Sequence, residues 1–325
     1  MQVKQNIIAR HNNNDVIEHQ LIMENGFQVN ILNYGGIISG IFIPDKLGKI
    51  ENIVLKHPEF NPENPGHFGA ITGRVAGRIA NAQFTLTGKT HQLVTNNGKH
   101  NLHGGPSGLD KQFWKVEVLE KGLRLTYHSK DGESGFPGNV SFIVEYLIEK
   151  DYQLTIKYSA TIDSPTIINL TNHSYFDLTS GNNPLRQELM IDADYFAEVD
   201  SSGIVSKIIT SVKNTPFDLQ NSASIASIIN QQHPQLKVAN GLDHPFILNN
   251  REITLKDPIN RRLLTIETDQ AVCVVYTANH LKHSGVCLET QAMPDAINWE
   301  PYRDSVVFTP DKPYASYNIW KFGLF

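Results

Sequence analysis

Two side chains in the sequence have the properties of an acid–base pair. Glu289 follows the apolar residues 286–288 and precedes Thr and Gln, so we expect it at the end of a strand, where partial burial raises the pKa of a carboxyl group. Such a carboxylate suits the role of general base. His173 stands between polar neighbours and the aromatic residues 175–176, and an imidazole can donate a proton near neutral pH. On residue type alone, a hydrogen-bonded structural histidine is the more common explanation.

Arg78, His103 and Asp243 are further candidates because each stands in a polar segment beside a turn. The three segments are residues 73–78, 101–105 and 241–246. Each residue also has a simple structural explanation. Arg78 could form a surface ion pair, His103 could bond the backbone of its turn, and Asp243 could hold an Asx turn.

Aromatic residues close to these polar groups indicate a carbohydrate ligand. A pyranose needs a flat apolar wall for its C–H face and fixed donors and acceptors for its hydroxyls. The candidates for that wall are Tyr175, Phe176 and Phe246. We take Tyr175 as a substrate-binding residue because it is two positions from His173.

Nucleotide-binding and serine-hydrolase motifs are incomplete or missing. Residues 88–90 resemble the end of a phosphate-binding loop, but Gln83 stands where that loop needs glycine. No Gly-x-Ser-x-Gly sequence occurs. His-x-x-His pairs at 100–103 and 280–283 have neither a third ligand nor a helical pattern. We therefore expect neither a metal nor an organic cofactor.

Composition argues against several partners. Among 325 residues, 28 Lys and Arg face 33 Asp and Glu, for a net charge of -5, so no general positive field favours nucleic acid or an anionic membrane. No run approaches the roughly 20 apolar residues that span a bilayer. The first residues lack the pattern of a secretory signal, which predicts a cytoplasmic protein. Cys273 and Cys287 lie in apolar runs and are expected as reduced core thiols. The sequence does not set an oligomeric state.

Strands with one buried face must position these residues. Apolar and polar residues alternate at 27–31, 123–127, 140–148 and 152–162, and this period of two is typical of β-strands. Asn-Gly and Asp-Gly pairs between the runs favour tight turns. Helical spacing is clear only at 222–232. Because almost no helix is available for parallel crossovers, the pattern predicts an all-β protein, a large antiparallel β-sandwich in one domain spanning 1–325.

In this order, the polar segments resemble those of the aldose 1-epimerases, the galactose mutarotases. The resemblance covers nearly the whole chain and rests on an ordered set of segments. They are residues 33–36, 69–78, 101–105, 135–138, 169–178, 241–246 and 283–298. The resemblance implies a β-sandwich of the galactose mutarotase supersandwich type, with an open cleft on one sheet. It also implies an enzyme that interconverts the α and β anomers of D-galactose, D-glucose or both.

The resemblance implies individual roles as well. The Glu of Leu-Glu-Thr is the base, here Glu289, and the His of Thr-Asn-His-Ser is the acid, here His173. Arg78, His103 and Asp243 fall on positions expected to contact sugar oxygens. Anomerisation removes the proton of the C1 hydroxyl and protonates the ring oxygen, so an acid and a base are sufficient.

The chain departs from the family pattern at three positions. Gly77 and Val274 stand where some relatives have a sugar-contacting Asn and Gln, and Asp177 replaces the usual Asn. The first two changes leave the acid and base intact but affect groups that bind the sugar. We therefore expect substrate affinity or substrate preference to differ from those of such relatives.

Three other functions are compatible with the same residues. A glycoside hydrolase would use Asp243 and Glu289 as a carboxylate pair about 5 to 9.5 Å apart. A non-catalytic carbohydrate-binding protein would need the aromatic wall but not the acid and base. A sugar-phosphate 1-epimerase would need additional cations, and Arg74 and Arg78 are the only arginine pair in the matching segments.

Overall fold

The chain begins with a five-stranded antiparallel sheet. The structure is a computed structural model that describes every residue, Met1–Phe325. The strands follow each other in sequence order and are β1 (Gln2–His11), β2 (Asn14–Ile22), β3 (Gln28–Leu32), β4 (Ile38–Pro44) and β5 (Ile50–Asn52). Each strand pairs with the next along the chain, so tight local connections build the whole sheet.

Short strands follow, separated by long turns. They are β6 (Ile71–Thr72), β7 (Arg78–Ile79), β8 (Gln83–Leu86), β9 (Lys89–Gln92) and β10 (Asn101–Leu102). The strands β7 and β10 pair with each other, as do β8 and β9. The polar segments around residues 73–78 and 101–105 therefore become neighbours.

Most of the remaining strands form a second, larger sheet. The remaining strands are β11 (Lys115–Leu119), β12 (Gly122–Ser129), β13 (Val140–Lys150), β14 (Gln153–Ile162), β15 (Thr166–Ile167), β16 (Thr171–Asn172), β17 (Tyr175–Phe176), β18 (Glu188–Val199), β19 (Val205–Ser211), β20 (Ala223–Ser224), β21 (Asp243–Lys256), β22 (Arg262–Thr268), β23 (Val272–Tyr276), β24 (Val286–Gln291), β25 (Val307–Phe308) and β26 (Tyr314–Leu324). The main path of this 13-stranded sheet runs β11-β12-β13-β14-β26-β22-β21-β23-β24-β17. The exceptions pair in separate two-stranded sheets, β15 with β25 and β16 with β6.

Helix is limited to short segments. The α-helices are α1 (Ile225–Ile229) and α2 (Pro234–Ala239), and the other helical turns are of the 3₁₀ type. The helix expected at 222–232 is present but shorter, with the Ser224 side chain capping its N-terminus. No helix has the length and apolar character that crossing a membrane requires.

The expected all-β fold is confirmed, and its core lies between the two sheets. One hydrophobic cluster joins Ile31 of the first sheet with Ile156 and Leu288 of the second. The alternation at 152–162 becomes β14, where Ile156 is fully buried and Lys157 is exposed. Cys273 and Cys287 are buried and unpaired, as expected.

Replacing Ile156 with Ala tests this alternation. The smaller side chain leaves a cavity in the shared core, so we expect the free energy of unfolding to fall by about 2–5 kcal/mol. The adjacent change Lys157→Ala removes an exposed side chain and should alter it by no more than about 0.5 kcal/mol. Urea unfolding of both variants makes the comparison, and equal losses would contradict the assigned faces of the strand.

Candidate active site

A cleft of about 250 Å³ lies where the large sheet meets the turns around β6, β7 and β10. All six site residues expected from the sequence line it. They are Arg78, His103, His173, Tyr175, Asp243 and Glu289. Segments that are up to 211 positions apart, from Arg78 to Glu289, therefore supply one site.

Glu289 reaches the cleft from the interior of a strand. It is the fourth residue of β24 and pairs in register with Val274 of β23, so the expectation of a strand end is wrong. Asp243 is the first residue of β21 and pairs with Tyr276 of β23. The two carboxylates are thus carried by strands on either side of β23, whose hydrogen bonds fix their positions.

His173 is held in the short connection between β16 and β17 by its own backbone. Its N–H donates to the carbonyl of Ala70, and its carbonyl accepts from the N–H of Gly69, each at 2.9 Å. The imidazole Nε2 lies 3.4 Å from Oε1 of Glu289, and both side chains are about 95% buried. Cys287 Sγ lies 3.5 Å from the other ring nitrogen, Nδ1. We assign the Nδ1 hydrogen to that sulfur contact, which leaves Nε2 to exchange a proton with Glu289.

Burial shifts the two pKa values in opposite directions. Loss of hydration and the negative charge of Asp243, opposed by Arg78, together raise the pKa of Glu289 to about 8. Loss of hydration and the neighbouring His67 together lower the pKa of His173 to about 3. These shifts favour one proton on the pair at neutral pH, held by Glu289.

Arg78 and Asp243 form a looser pair at the other side of the cleft. Arg78 Nη1 lies 4.0 Å from Asp243 Oδ2, and both side chains keep some exposure, 23% and 30%. Arg78 also donates from Nε to Asn97 Oδ1 at 3.1 Å. Burial raises the pKa of Asp243, and Arg78 limits the rise. These groups retain unused donors and acceptors that face the cleft.

His103 presents an N–H to the cleft. The backbone N–H of Gly77 donates to His103 Nδ1 at 3.2 Å. A backbone N–H cannot accept, so this nitrogen is unprotonated and the neutral ring carries its hydrogen on Nε2. Burial lowers the pKa of His103 well below its usual value, which keeps the ring neutral.

Three side chains of the cleft lie about as close together as the ligands of a metal ion. Ligand atoms of His103, His173 and Glu289 all lie within 4.8 Å of one another. The lone pair on His103 Nδ1 is already used by Gly77, so this imidazole offers a hydrogen and not a lone pair. The donor set therefore suits oxygen atoms of a sugar better than a metal ion.

The aromatic wall is smaller than the sequence suggested. Tyr175 lines the cleft, and its hydroxyl donates to the carbonyl of Gly66 at 2.8 Å. Phe176 packs on Trp320 with ring centroids 5.0 Å apart, and Phe246 is also fully buried in the core. The proposal that these two phenylalanines face a sugar is wrong. Neighbouring residues of a strand point to opposite faces, so Tyr175 in the cleft places Phe176 in the core.

Several lining residues were not predicted from the sequence to belong to the site, and His280 was considered only as part of a possible metal-binding pair. They are His67, Asn97, Tyr276, His280 and Gln291. The period of two in a strand could have identified two of them. Gln291 lies two positions after Glu289 in β24, and Tyr276 lies two positions after Val274 in β23, so each shares a face with a residue of the cleft. His67 and Asn97 lie in irregular connections and His280 lies in a single turn of 3₁₀ helix, and in such segments no periodicity predicts the side-chain direction.

Two of the three departures from the family pattern lie in the cleft. Gly77 and Val274 both line it, and a Cβ added at Gly77 would come 3.1 Å from Pro294. Asp177 is outside, where its carboxylate accepts from the backbone N–H groups of Thr179 and Gly181. Its role is to shape a turn.

Comparison with known proteins agrees with this geometry. The family model described as aldose 1-epimerase matches residues 18–319. The chain belongs to the aldose 1-epimerase family. The galactose mutarotase of Bos taurus is 34% identical over 330 residues, covering 95% of this chain and 94% of the relative. The aldose 1-epimerase of Haemophilus influenzae is 35% identical over 314 residues, covering 89% and 92%.

A solved structure carries the same family fold. The galactose 1-epimerase from Lactobacillus acidophilus has a TM-score of 0.88 at 28% identity, covering 99% of each chain. The expectations of a galactose mutarotase-like β-sandwich and of an isomerase of the aldose 1-epimerase family are therefore confirmed.

The raised pKa of Glu289 predicts that its carboxyl group is protonated in the sugar-free protein in solution at pH 6. Difference infrared spectra of wild type minus Glu289→Gln should show a carboxylic acid C=O band at pH 6. The band should disappear as pH rises past about 8, because the group ionises there.

Asp243→Asn is the matched control. It removes the negative charge that helps to raise the pKa of Glu289, so the band should disappear at lower pH than in the wild type. If Glu289 is already fully ionised at pH 6, so that only its carboxylate band is seen, burial does not raise its pKa as we expect.

Proposed function

We propose that the protein interconverts the α and β anomers of D-galactose and D-glucose by acid–base catalysis, with Glu289 as base and His173 as acid. The observation that carries the proposal is the buried contact of 3.4 Å between these two side chains inside the cleft. Membership of the aldose 1-epimerase family and the galactose mutarotases among its relatives support the choice of sugars. Arg78, His103, Asp243 and Tyr175 are proposed to bind the substrate.

The reaction conserves the protons of the pair. Glu289 accepts the proton of the C1 hydroxyl while His173 gives a proton to the ring oxygen O5, and the C1–O5 bond breaks to form the open-chain aldehyde. Rotation about C1–C2 exposes the other face of the carbonyl. Ring closure then reverses both transfers, so the two groups return to their starting states.

The shifted pKa values strengthen both roles. A carboxylate whose pKa lies near 8 binds a proton more tightly than an ordinary one, and an imidazolium with a lowered pKa releases its proton more readily. The one proton that the pair shares must pass from Glu289 to His173 before these roles begin. Their direct contact makes that a single transfer.

The competing functions receive less support from the cleft. A phosphate group would need several cations, but Arg78 is the one Arg or Lys in the lining and is already paired with Asp243 and Asn97. Arg74 is buried elsewhere and donates to Ser129 Oγ and to backbone carbonyls. For a glycosidase, Asp243 would have to act as the second carboxylate, about 5 to 9.5 Å from Glu289. Here Asp243 faces Arg78 at 4.0 Å, and the group in contact with Glu289 is His173.

Two further proposals concern the chain as a whole. We propose that residues 1–325 form one domain, because side chains of both sheets share one hydrophobic cluster. We also propose a cytoplasmic location, supported by two buried cysteines that form no disulfide.

Replacing Glu289 with Gln tests the base. The amide has nearly the same shape but cannot accept the proton, so kcat for α-D-galactose should fall by about 10²-fold or more while the fold is retained. Polarimetry of the freshly dissolved sugar measures the rate, and circular dichroism checks the fold. Retention of more than about a tenth of the rate would assign the base to another residue.

Replacing His173 and His103 separately with Asn distinguishes the acid from a binding imidazole. In the wild type, kcat/KM should fall above about pH 8, because the pair loses the one proton it shares. In His173→Asn, only the base remains, so the residual kcat/KM should rise with pH as Glu289 ionises.

His103→Asn should be slower at every pH but keep the fall on the alkaline side. Profiles of kcat/KM against pH with α-D-galactose decide between the two histidines. If the alkaline fall survives in His173→Asn and is lost in His103→Asn, the acid is His103.

A further inference from the structure

His67 stands in the cleft beside His103 and His173, and the reaction described above gives it no task. Its ring centroid is 4.6 Å from that of His103 and 5.8 Å from that of His173. The side chain is 20% exposed and lines the cleft. It therefore borders the space that a sugar must occupy.

A buried carboxylate determines how His67 presents its nitrogens. His67 Nδ1 lies 2.8 Å from Oδ2 of Asp110, whose side chain is only 1% exposed. The other oxygen of Asp110 is buried without a hydrogen-bond partner, so this carboxylate is committed to His67. A carboxylate only accepts hydrogen bonds, which places the hydrogen of the neutral imidazole on Nδ1 and leaves a lone pair on Nε2.

His103 has the opposite arrangement. The N–H of Gly77 occupies its Nδ1 lone pair, so its Nε2 carries the hydrogen. The two adjacent imidazoles therefore present opposite groups to the cleft: Nε2 of His67 accepts a hydrogen bond, and Nε2–H of His103 donates one. A hydroxyl group is the ligand that uses both, because it donates one hydrogen bond and accepts others.

We propose that His67 and His103 together bind one hydroxyl of the sugar, with the hydroxyl donating to His67 Nε2 and accepting from His103 Nε2–H. This inference rests on the proposed function, and it makes His67 a specificity-determining residue of the same site. Asp110 is then a positioning residue that acts through His67. A substrate that lacks this hydroxyl leaves both imidazoles without a partner, which is the strongest kind of discrimination that a buried polar site provides.

The test compares α-D-galactose with analogues that each lack one hydroxyl. For wild type and His67→Phe, kcat/KM is measured by polarimetry and corrected for the uncatalysed rate of each sugar. In the wild type, removal of one particular hydroxyl should cost about 10- to 100-fold. In His67→Phe, the galactose rate should fall, and the penalty for removing that same hydroxyl should shrink by about tenfold. The penalties for the other hydroxyls should stay as in the wild type.

Asp110→Asn tests the polarity directly. The amide can donate to Nδ1 of His67, which moves the imidazole hydrogen to Nε2 and turns the acceptor into a donor. We expect removal of that hydroxyl to cost as little in Asp110→Asn as in His67→Phe, although His67 is still present. His128→Phe, which removes an exposed histidine of β12, is the matched control and should leave every penalty unchanged. Thermal unfolding of each variant identifies any loss of the fold.

The outcomes separate this inference from the proposed function. If His67→Phe lowers all rates by one factor and leaves every penalty unchanged, His67 contacts no hydroxyl and the inference is wrong. If the wild type does not accelerate anomerisation at all, the proposed function is wrong. In that case, ligand-observed NMR measures how much affinity is lost when each hydroxyl is removed from the sugar. If one hydroxyl matters most and its loss matters less in His67→Phe, the binding role of His67 is still supported.

Discussion

The contact between His173 and Glu289 is the interaction on which the site depends. Water is largely removed from both groups, so each favours its neutral form, and one proton serves the pair. In water the carboxylate would be a weaker base and the imidazolium a weaker acid. The cleft therefore gains its chemistry from burial, and the rest of the molecule must keep the two side chains buried and in contact.

The large sheet supplies the rigidity that this requires. Glu289 lies within β24 and Asp243 begins β21, and both strands are hydrogen-bonded to β23. His173 has no long strand around it, but backbone bonds to Gly69 and Ala70 hold its connection in place. A side chain on a paired strand moves little without breaking ladder bonds, so the backbone sets the distance between the proposed acid, His173, and the proposed base, Glu289.

The hydrogen-bond partner of each imidazole decides which of its ring nitrogens carries the hydrogen. Gly77 acts on His103 through a backbone N–H, Asp110 acts on His67 through a carboxylate, and Cys287 contacts His173. These partners give three chemically identical rings three different surroundings. The polarity of the cleft is thus a property of the surrounding fold and not of the histidine side chain itself.

The sequence by itself determined the class of fold, because a period of two in strands such as β14 leaves only one way to bury the apolar face. It also singled out Glu289 and His173, whose neighbours are unusual for a solvated strand. It could not determine that Glu289 lies inside a strand, that Phe176 and Phe246 face the core, or that His67 enters the cleft beside His103. Those facts depend on which distant segments pair and which way a turn directs a side chain. Burial, and with it the pKa of Glu289, exists only after both sheets and the turns have come together.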